Sequence, residues 1–215
     1  MERKKYSWKI GLGILVLFHL VGVIGLSQGY TQNLFLLLTP FNLILSTFVL
    51  AYYHEEWSMP FVIASVSTFV MGWGVEVLGV QTGVIFGVYS YGEGLGWGLF
   101  GVPLSMGLNW MLLVYTTAIM ARKVPVPTFL QAVIASALMV MLDVVIEPVA
   151  ISLDFWSWET ELIPVQNYIA WFVIAWLMVM GVNQVKTPIH NPLAEAYYLI
   201  QLGFFGMFHL LFSTI

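Results

Sequence analysis

Apolar residues in this chain come in long unbroken runs, not in the alternation of a half-buried strand or the narrow stripe of a surface helix. Seven such runs can be drawn, over residues 9–26, 33–53, 60–80, 102–121, 128–151, 164–183 and 194–214. About 20 apolar residues carry a helix across the hydrocarbon of a bilayer, so runs of this length are spans. A helix closes its backbone hydrogen bonds within one segment, and no run alternates as a barrel strand does, which leaves the helix as the spanning form. Pro60, Pro103, Pro127 and Pro164 stand at or beside the starts of runs, where the N–H that proline lacks has no partner to lose. The pattern predicts an all-α integral membrane protein, one transmembrane helical domain over residues 1–215 with about seven spans.

Composition supports that class and removes others. Of 215 residues 60% are hydrophobic and 8% charged, too few charges to cover a soluble domain of this size. Cysteine is absent, so disulfides, thiolate metal sites and a cysteine nucleophile are all excluded. A net charge of -4 argues against a nucleic-acid partner, which needs a basic surface. The basic residues are placed unevenly: Arg3, Lys4, Lys5 and Lys9 at or before the first run, Arg122 and Lys123 after the fourth, Lys186 after the sixth. With seven spans all of them fall on one side. Basic loops stay in the cytoplasm, so the expected placement is multi-pass in the cell membrane, N-terminus inside and C-terminus outside. A basic start followed by an apolar run also has the form of a cleavable signal peptide, which would leave six spans.

Two linkers on the predicted outer side are long. Residues 81–101 hold seven glycines and are too polar and broken to span. Glycine allows close backbone approach, so this loop is expected either to re-enter the bundle or to lie at the interface with Tyr89, Tyr91 and Trp97 as an aromatic belt. Residues 152–163 are acidic and carry Trp156 and Trp158.

Charged groups within spans are expensive and persist mainly where they act. Glu76 lies near the outer end of the third run, and Asp143 and Glu147 in the outer half of the fifth. A spacing of i, i+4 sets the last two on one helix face, about 6 Å apart at their β-carbons. Asn109, in the fourth run, is expected at a similar depth. No basic residue lies within these spans to neutralise the acids, so at least one is expected to keep its proton. The alternative is structural: buried carboxyls can bond to amides, tyrosines or carbonyls and hold helices together. His19 and His209 are expected to make structural hydrogen bonds, since a metal would need several ligands at helical spacing; no metal is expected. His54, Glu55 and Glu56 read as a solvated turn, or with His190 as a second polar site. Asn42, two residues after Pro40, is positioned to satisfy carbonyls that the proline frees.

Chemistry that needs only acids and aromatics is available to such a cluster, without any cofactor. A neutral carboxylic acid can protonate an alkene, while a second carboxylate stabilises the cation or deprotonates water. Tryptophan and tyrosine faces attract a cation. A proton-coupled transporter would use the same residue types.

Three ordered strings carry a resemblance. EVLGVQTGVIFGVYSYGEGLG (76–96), GVPLSMGLNWMLLVYT (101–116) and LDVVIEPVAISLDFWSWE (142–159) resemble the membrane-bound carotenoid hydratases, the family of gamma-carotene 1',2'-hydratase and bisanhydrobacterioruberin hydratase. The family-like pattern falls on Glu76, Thr82, Gly83, Gly87, Tyr89, Tyr91, Pro103, Asn109, Trp110, Asp143, Pro148, Asp154, Trp156 and Trp158. Residues 147–148 read Glu-Pro where many relatives would have Asp-Pro, which lengthens that carboxyl's reach by one methylene. The resemblance implies cofactor-free hydration of a terminal double bond of a lipophilic carotenoid, giving a tertiary alcohol. Asp143 or Glu147 would then donate the proton, Glu76 orient or deprotonate the water, and Asn109 hold it. Tyr89, Tyr91, Trp97, Trp110, Asp154, Trp156 and Trp158 would contact the substrate. The partners implied are the carotenoid, water and the bilayer, with self-association or association with other carotenoid enzymes. A membrane lycopene cyclase is the nearest alternative, because it begins with the same protonation and differs in what captures the cation. A retinal-binding pump is disfavoured, as no lysine lies in the seventh run to form a Schiff base.

Overall fold

Each apolar run folds as a helix in the computed structural model, which describes residues 2–160, 162–186 and 188–212. The helices are α1 (Glu2–Ser27), α2 (Gln32–Tyr53), α3 (Met59–Thr82), α4 (Ser105–Arg122), α5 (Thr128–Ser152), α6 (Val165–Val182) and α7 (Ala194–Phe212). Residues 213 and 214 of the last predicted span lie outside the described residues, as do the side chains of Arg3, Lys4 and Lys5. Local chemistry sets several ends. Ser58 caps α3 by accepting from the Phe61 N–H with Pro60 in the first turn, and Gly83 closes the same helix in the left-handed conformation, φ 65°. Pro164 precedes α6 as predicted.

Among the described residues, five segments, Ser7–Ser27 of α1 together with α2, α3, α5 and α6, are long and apolar enough to cross a membrane. Helices α4 and α7 complete the bundle. Helix α4 packs against α2, α3, α5, α6 and α7 and buries residues on every side, so it needs little lipid-facing apolar surface. Its approach to α3 depends on a missing side chain: a Cβ at Gly72 would clash with the Trp110 Cβ.

Contacts at one end of the bundle gather the basic residues. Arg122 donates to the Asn183 side chain (2.9 Å) and the Val182 carbonyl (3.0 Å), and Lys123 pairs with Glu195 (2.7 Å). His190 meets Glu55 at 3.0 Å, and the Tyr53 hydroxyl donates to the Ser7 carbonyl, bringing in the start of α1. His54 is not the solvated turn residue expected: it is buried, stacked on Phe61 at 4.0 Å, and bonded to the Tyr115 hydroxyl at 2.7 Å.

The opposite end carries strands that hydropathy did not reveal. Strand β1 (Tyr89–Tyr91) and strand β4 (Trp156–Trp158) pair antiparallel, and between them in sequence β2 (Gly98–Leu99) and β3 (Val102–Pro103) form a hairpin. The 81–101 loop contains a short hairpin with Trp97 exposed, but Tyr89 and Tyr91 pair with the other long loop instead of forming an exposed aromatic belt. It folds over the end of the bundle and is pinned there by the other long loop. Phe86, Tyr89 and Leu95 are buried by this, while Trp97 remains 71% exposed.

Candidate active site

Pairing β1 with β4 puts Tyr89 opposite Trp158 and Tyr91 opposite Trp156. Side chains alternate along a strand, so these four aromatics share the face toward the bundle, while Ser90 and Ser157 share the other and lie 3.3 Å apart at their hydroxyls. Beneath the aromatic face are Glu76, Asp143 and Glu147, each no more than 3% exposed.

Each acid is held differently. Tyr89 and Tyr91 hydroxyls donate to Glu76 Oε2 at 2.5 and 2.7 Å, and Trp110 Nε1–H donates to Oε1 at 2.8 Å. Trp156 and Trp158 indoles donate to Glu147 Oε2 at 3.0 and 2.9 Å. The Asn167 amide, from the first turn of α6, bridges the other two acids, 3.1 Å from Glu147 Oε1 and 3.1 Å from Asp143 Oδ2.

What these partners can do besides donate decides where a proton fits. Indole and amide N–H groups only donate, whereas a tyrosine hydroxyl can also accept. Oε2 of Glu147 faces two indoles that can only donate, and Oε1 takes a bond from the Asn167 amide nitrogen, so in this arrangement the ionised form suits it. Glu76 could carry a proton only on Oε2, toward the tyrosines. Asp143 takes one hydrogen bond among the described residues, on Oδ2, and has room for a proton on Oδ1. The three acids, Asn167, Met106, Phe86, Trp171 and the four strand aromatics line a cavity of about 20 Å³ with no basic side chain in its wall, space for about one water. Trp171 stacks on Trp110 at 4.0 Å and so backs the indole that holds Glu76.

Asn109 stands apart from the carboxylates. It lines a second cavity of about 400 Å³ that adjoins the first, with Met106 and Trp156 in the walls of both. The reason is helical: Trp110 points at Glu76, and successive residues on a helix project about 100° apart. Asp154 is exposed at the turn before β4, with φ 54°. His19 bonds to the Leu15 carbonyl (2.7 Å) and His209 to that of Val145 (2.8 Å).

Asn167 is the residue that sequence reasoning missed. Its signal was present, one of two adjacent amides, Gln166 and Asn167, in the first turn of a span whose start faces the same end as the acids. The alternation aromatic-Ser-aromatic, repeated as Tyr-Ser-Tyr and Trp-Ser-Trp, was the sign of the strand pair.

The structure thus defines a helical membrane bundle whose buried acids are clamped by aromatic donors. The carotenoid biosynthesis protein family matches residues 38–214, and the chain belongs to that family. It is a membrane protein of carotenoid biosynthesis. Among individual proteins, it is similar to the bisanhydrobacterioruberin hydratase of Haloarcula japonica, 27% identical over 176 residues that cover 74% of this chain and 60% of that relative's length. No solved structure matches the chain.

Proposed function

We propose that this protein is a hydratase that adds water to a terminal double bond of an acyclic carotenoid end group, giving a tertiary alcohol. The observation that carries this is a carboxyl with room for a proton, Asp143, set beside two donor-clamped acids around a cavity the size of one water. Hydrocarbon chemistry of this kind needs an acid that keeps its proton until an alkene arrives. The polyene end approaches through the larger apolar cavity, past Met106 and Trp156. Asp143 transfers its proton to the less substituted alkene carbon, leaving a tertiary cation. Ionised Glu147 and the faces of Tyr89, Tyr91, Trp156 and Trp158 stabilise that charge. Water bonds through oxygen to the cation, Glu76 takes the proton it releases, and that proton returns to Asp143 across the shared cavity. The polyene gains one water and the acids end as they began.

The similarity to a hydratase supports addition of water over cyclisation. The end of the bundle that carries Lys9, Arg122, Lys123 and Lys186 is assigned to the cytoplasm because basic loops are retained there, which places the acids in the outer leaflet. Expression in cells that accumulate acyclic carotenoids, with mass spectrometry of the pigment, tests the reading. It predicts a product heavier by the mass of one water. An unchanged mass with a new retention time assigns cyclisation instead, and unaltered pigment with several polyenes removes the enzymatic reading.

A further inference from the structure

Asn167 is fixed in place at the start of α6. Its backbone N–H donates to the Pro164 carbonyl at 2.9 Å, and the neighbouring Gln166 side chain donates to the Val84 and Ile85 carbonyls, tying this turn to the 81–101 loop. Asn167 itself is 2% exposed. Its amide nitrogen can only donate and its oxygen can only accept. The nitrogen faces the acids, as suits an ionised Glu147, and spends its two hydrogens on Asp143 Oδ2 and Glu147 Oε1, each at 3.1 Å. Asn167 Oδ1 accepts from no described residue and is not sealed away, so it opens on the cavity of about 20 Å³ that Asn167 lines.

The two ends of the amide meet charge and water at different moments. As Asp143 gives up its proton, negative charge develops on its carboxyl, and the N–H bond to Oδ2 turns from neutral to charge-assisted. Such a bond is about twice as strong, so it favours the transition state over the resting acid. A water in the cavity then has two hydrogens to place. Glu76 Oε1 holds the Trp110 indole and can take one of them. Glu147 Oε2 already holds two indoles and its Oε1 the amide itself, while Asp143 Oδ1 is the place of the proton. Asn167 Oδ1 takes the second hydrogen, which leaves the lone pairs of the water oxygen for the cation.

We propose that Asn167 is a catalytic residue that couples the acid to the nucleophile: its N–H stabilises Asp143 as the proton leaves, and its Oδ1 holds the water that captures the cation. The inference rests on the hydratase reading. It gives Asn167 the water-holding part expected of Asn109, and it makes this one side chain decide between capture of the cation by water and loss of a proton from it.

Deuterated water separates those two fates. Protein in nanodiscs is given lycopene, or whichever acyclic polyene it hydrates in cells. Asp143 then delivers deuterium: its O–D bond breaks and a C–D bond forms. Where water bonds to the cation, an alcohol results. Where a C–H bond beside the cation breaks instead, its proton returns to the Asp143 carboxylate and the double bond re-forms, marked with deuterium. Mass spectrometry gives the ratio of alcohol to deuterated polyene, and wild-type protein should give mostly alcohol. Asn167→Leu offers the water no acceptor and should shift the ratio about tenfold toward deuterated polyene, the loss of one hydrogen bond to the reacting water. Asn167→Ser keeps an acceptor and should fall between the two; it carries the test if the leucine variant does not accumulate. A purely structural residue would lower both products in proportion. An unchanged ratio in the variants therefore overturns the proposal while the hydratase stands, and leaves the water on Glu147 Oε1. Wild-type protein that marks the polyene and forms no alcohol overturns it too. Wild-type protein that forms neither product removes the hydratase reading, and this inference falls with it.

Discussion

Replacing Glu147 by glutamine changes one oxygen to an amide nitrogen and nothing else in shape, yet no orientation of that amide suits the site. With its nitrogen toward β4 it faces the Trp156 and Trp158 N–H groups, which cannot accept. With its nitrogen toward α6 it faces the Asn167 amide, which must turn over and present its oxygen to Asp143 as well. The second arrangement is the less costly, because Asp143 can meet that oxygen with its own proton. Two indole bonds then survive but lose their charge assistance, worth roughly 1 kcal/mol each, and re-forming the amide bridge brings the loss to about 2–3 kcal/mol. At roughly 2–4 °C per kcal/mol for a chain of this size, the melting temperature should fall by about 5–10 °C. Tryptophan fluorescence during heating in detergent measures this, and near-ultraviolet circular dichroism at low temperature should show loosened packing of Trp156 and Trp158. A variant melting with the wild type would mean that Glu147 is not ionised and that the donor argument fails.

Other substitutions separate chemistry from packing. Asp143→Asn keeps an oxygen for the Asn167 amide, so the fold should persist while hydration drops by about 10²–10⁴, the usual contribution of a general acid; pigment mass spectrometry with the protein level checked by blot reads both. Gly72→Ala forces a methyl group against Trp110, and overpacking of this kind costs about 1–3 kcal/mol, visible as a lower melting temperature with weaker activity through the displaced indole on Glu76. His54 tests pH. Burial holds its imidazole below the ordinary 6.5, against the opposing pull of the Glu56 carbonyl and the Glu55 and Glu56 charges, while His190 adds to the lowering. An unfolded chain therefore binds a proton that the folded one refuses, so this contribution to stability is complete above pH 6.5 and declines as the pH falls below it. Melting temperatures at about pH 7.5 and about pH 5.5 should differ more in the wild type than in His54→Gln, and equal slopes would refute the assignment.

Hydropathy alone determined the helices, because lipid leaves the backbone few options and twenty apolar residues in a row admit little else. Glu76, Asp143 and Glu147 were also legible in the sequence, since a charge within such a run is too costly to be incidental. Helical spacing placed Asp143 and Glu147 on one face. It could not place Asn109, where a rotation of one residue about the axis of α4 separates the carboxylate cavity from the larger one. Only the tertiary structure paired Tyr89 with Trp158 and Tyr91 with Trp156, two short strands from loops 67 residues apart at Ser90 and Ser157. Strand pairing across such a distance leaves no periodic trace beyond three residues in each partner, whereas the proton's place among the acids depends on those partners being donors. The acids belong to the sequence, and the choice of which one holds the proton belongs to the fold.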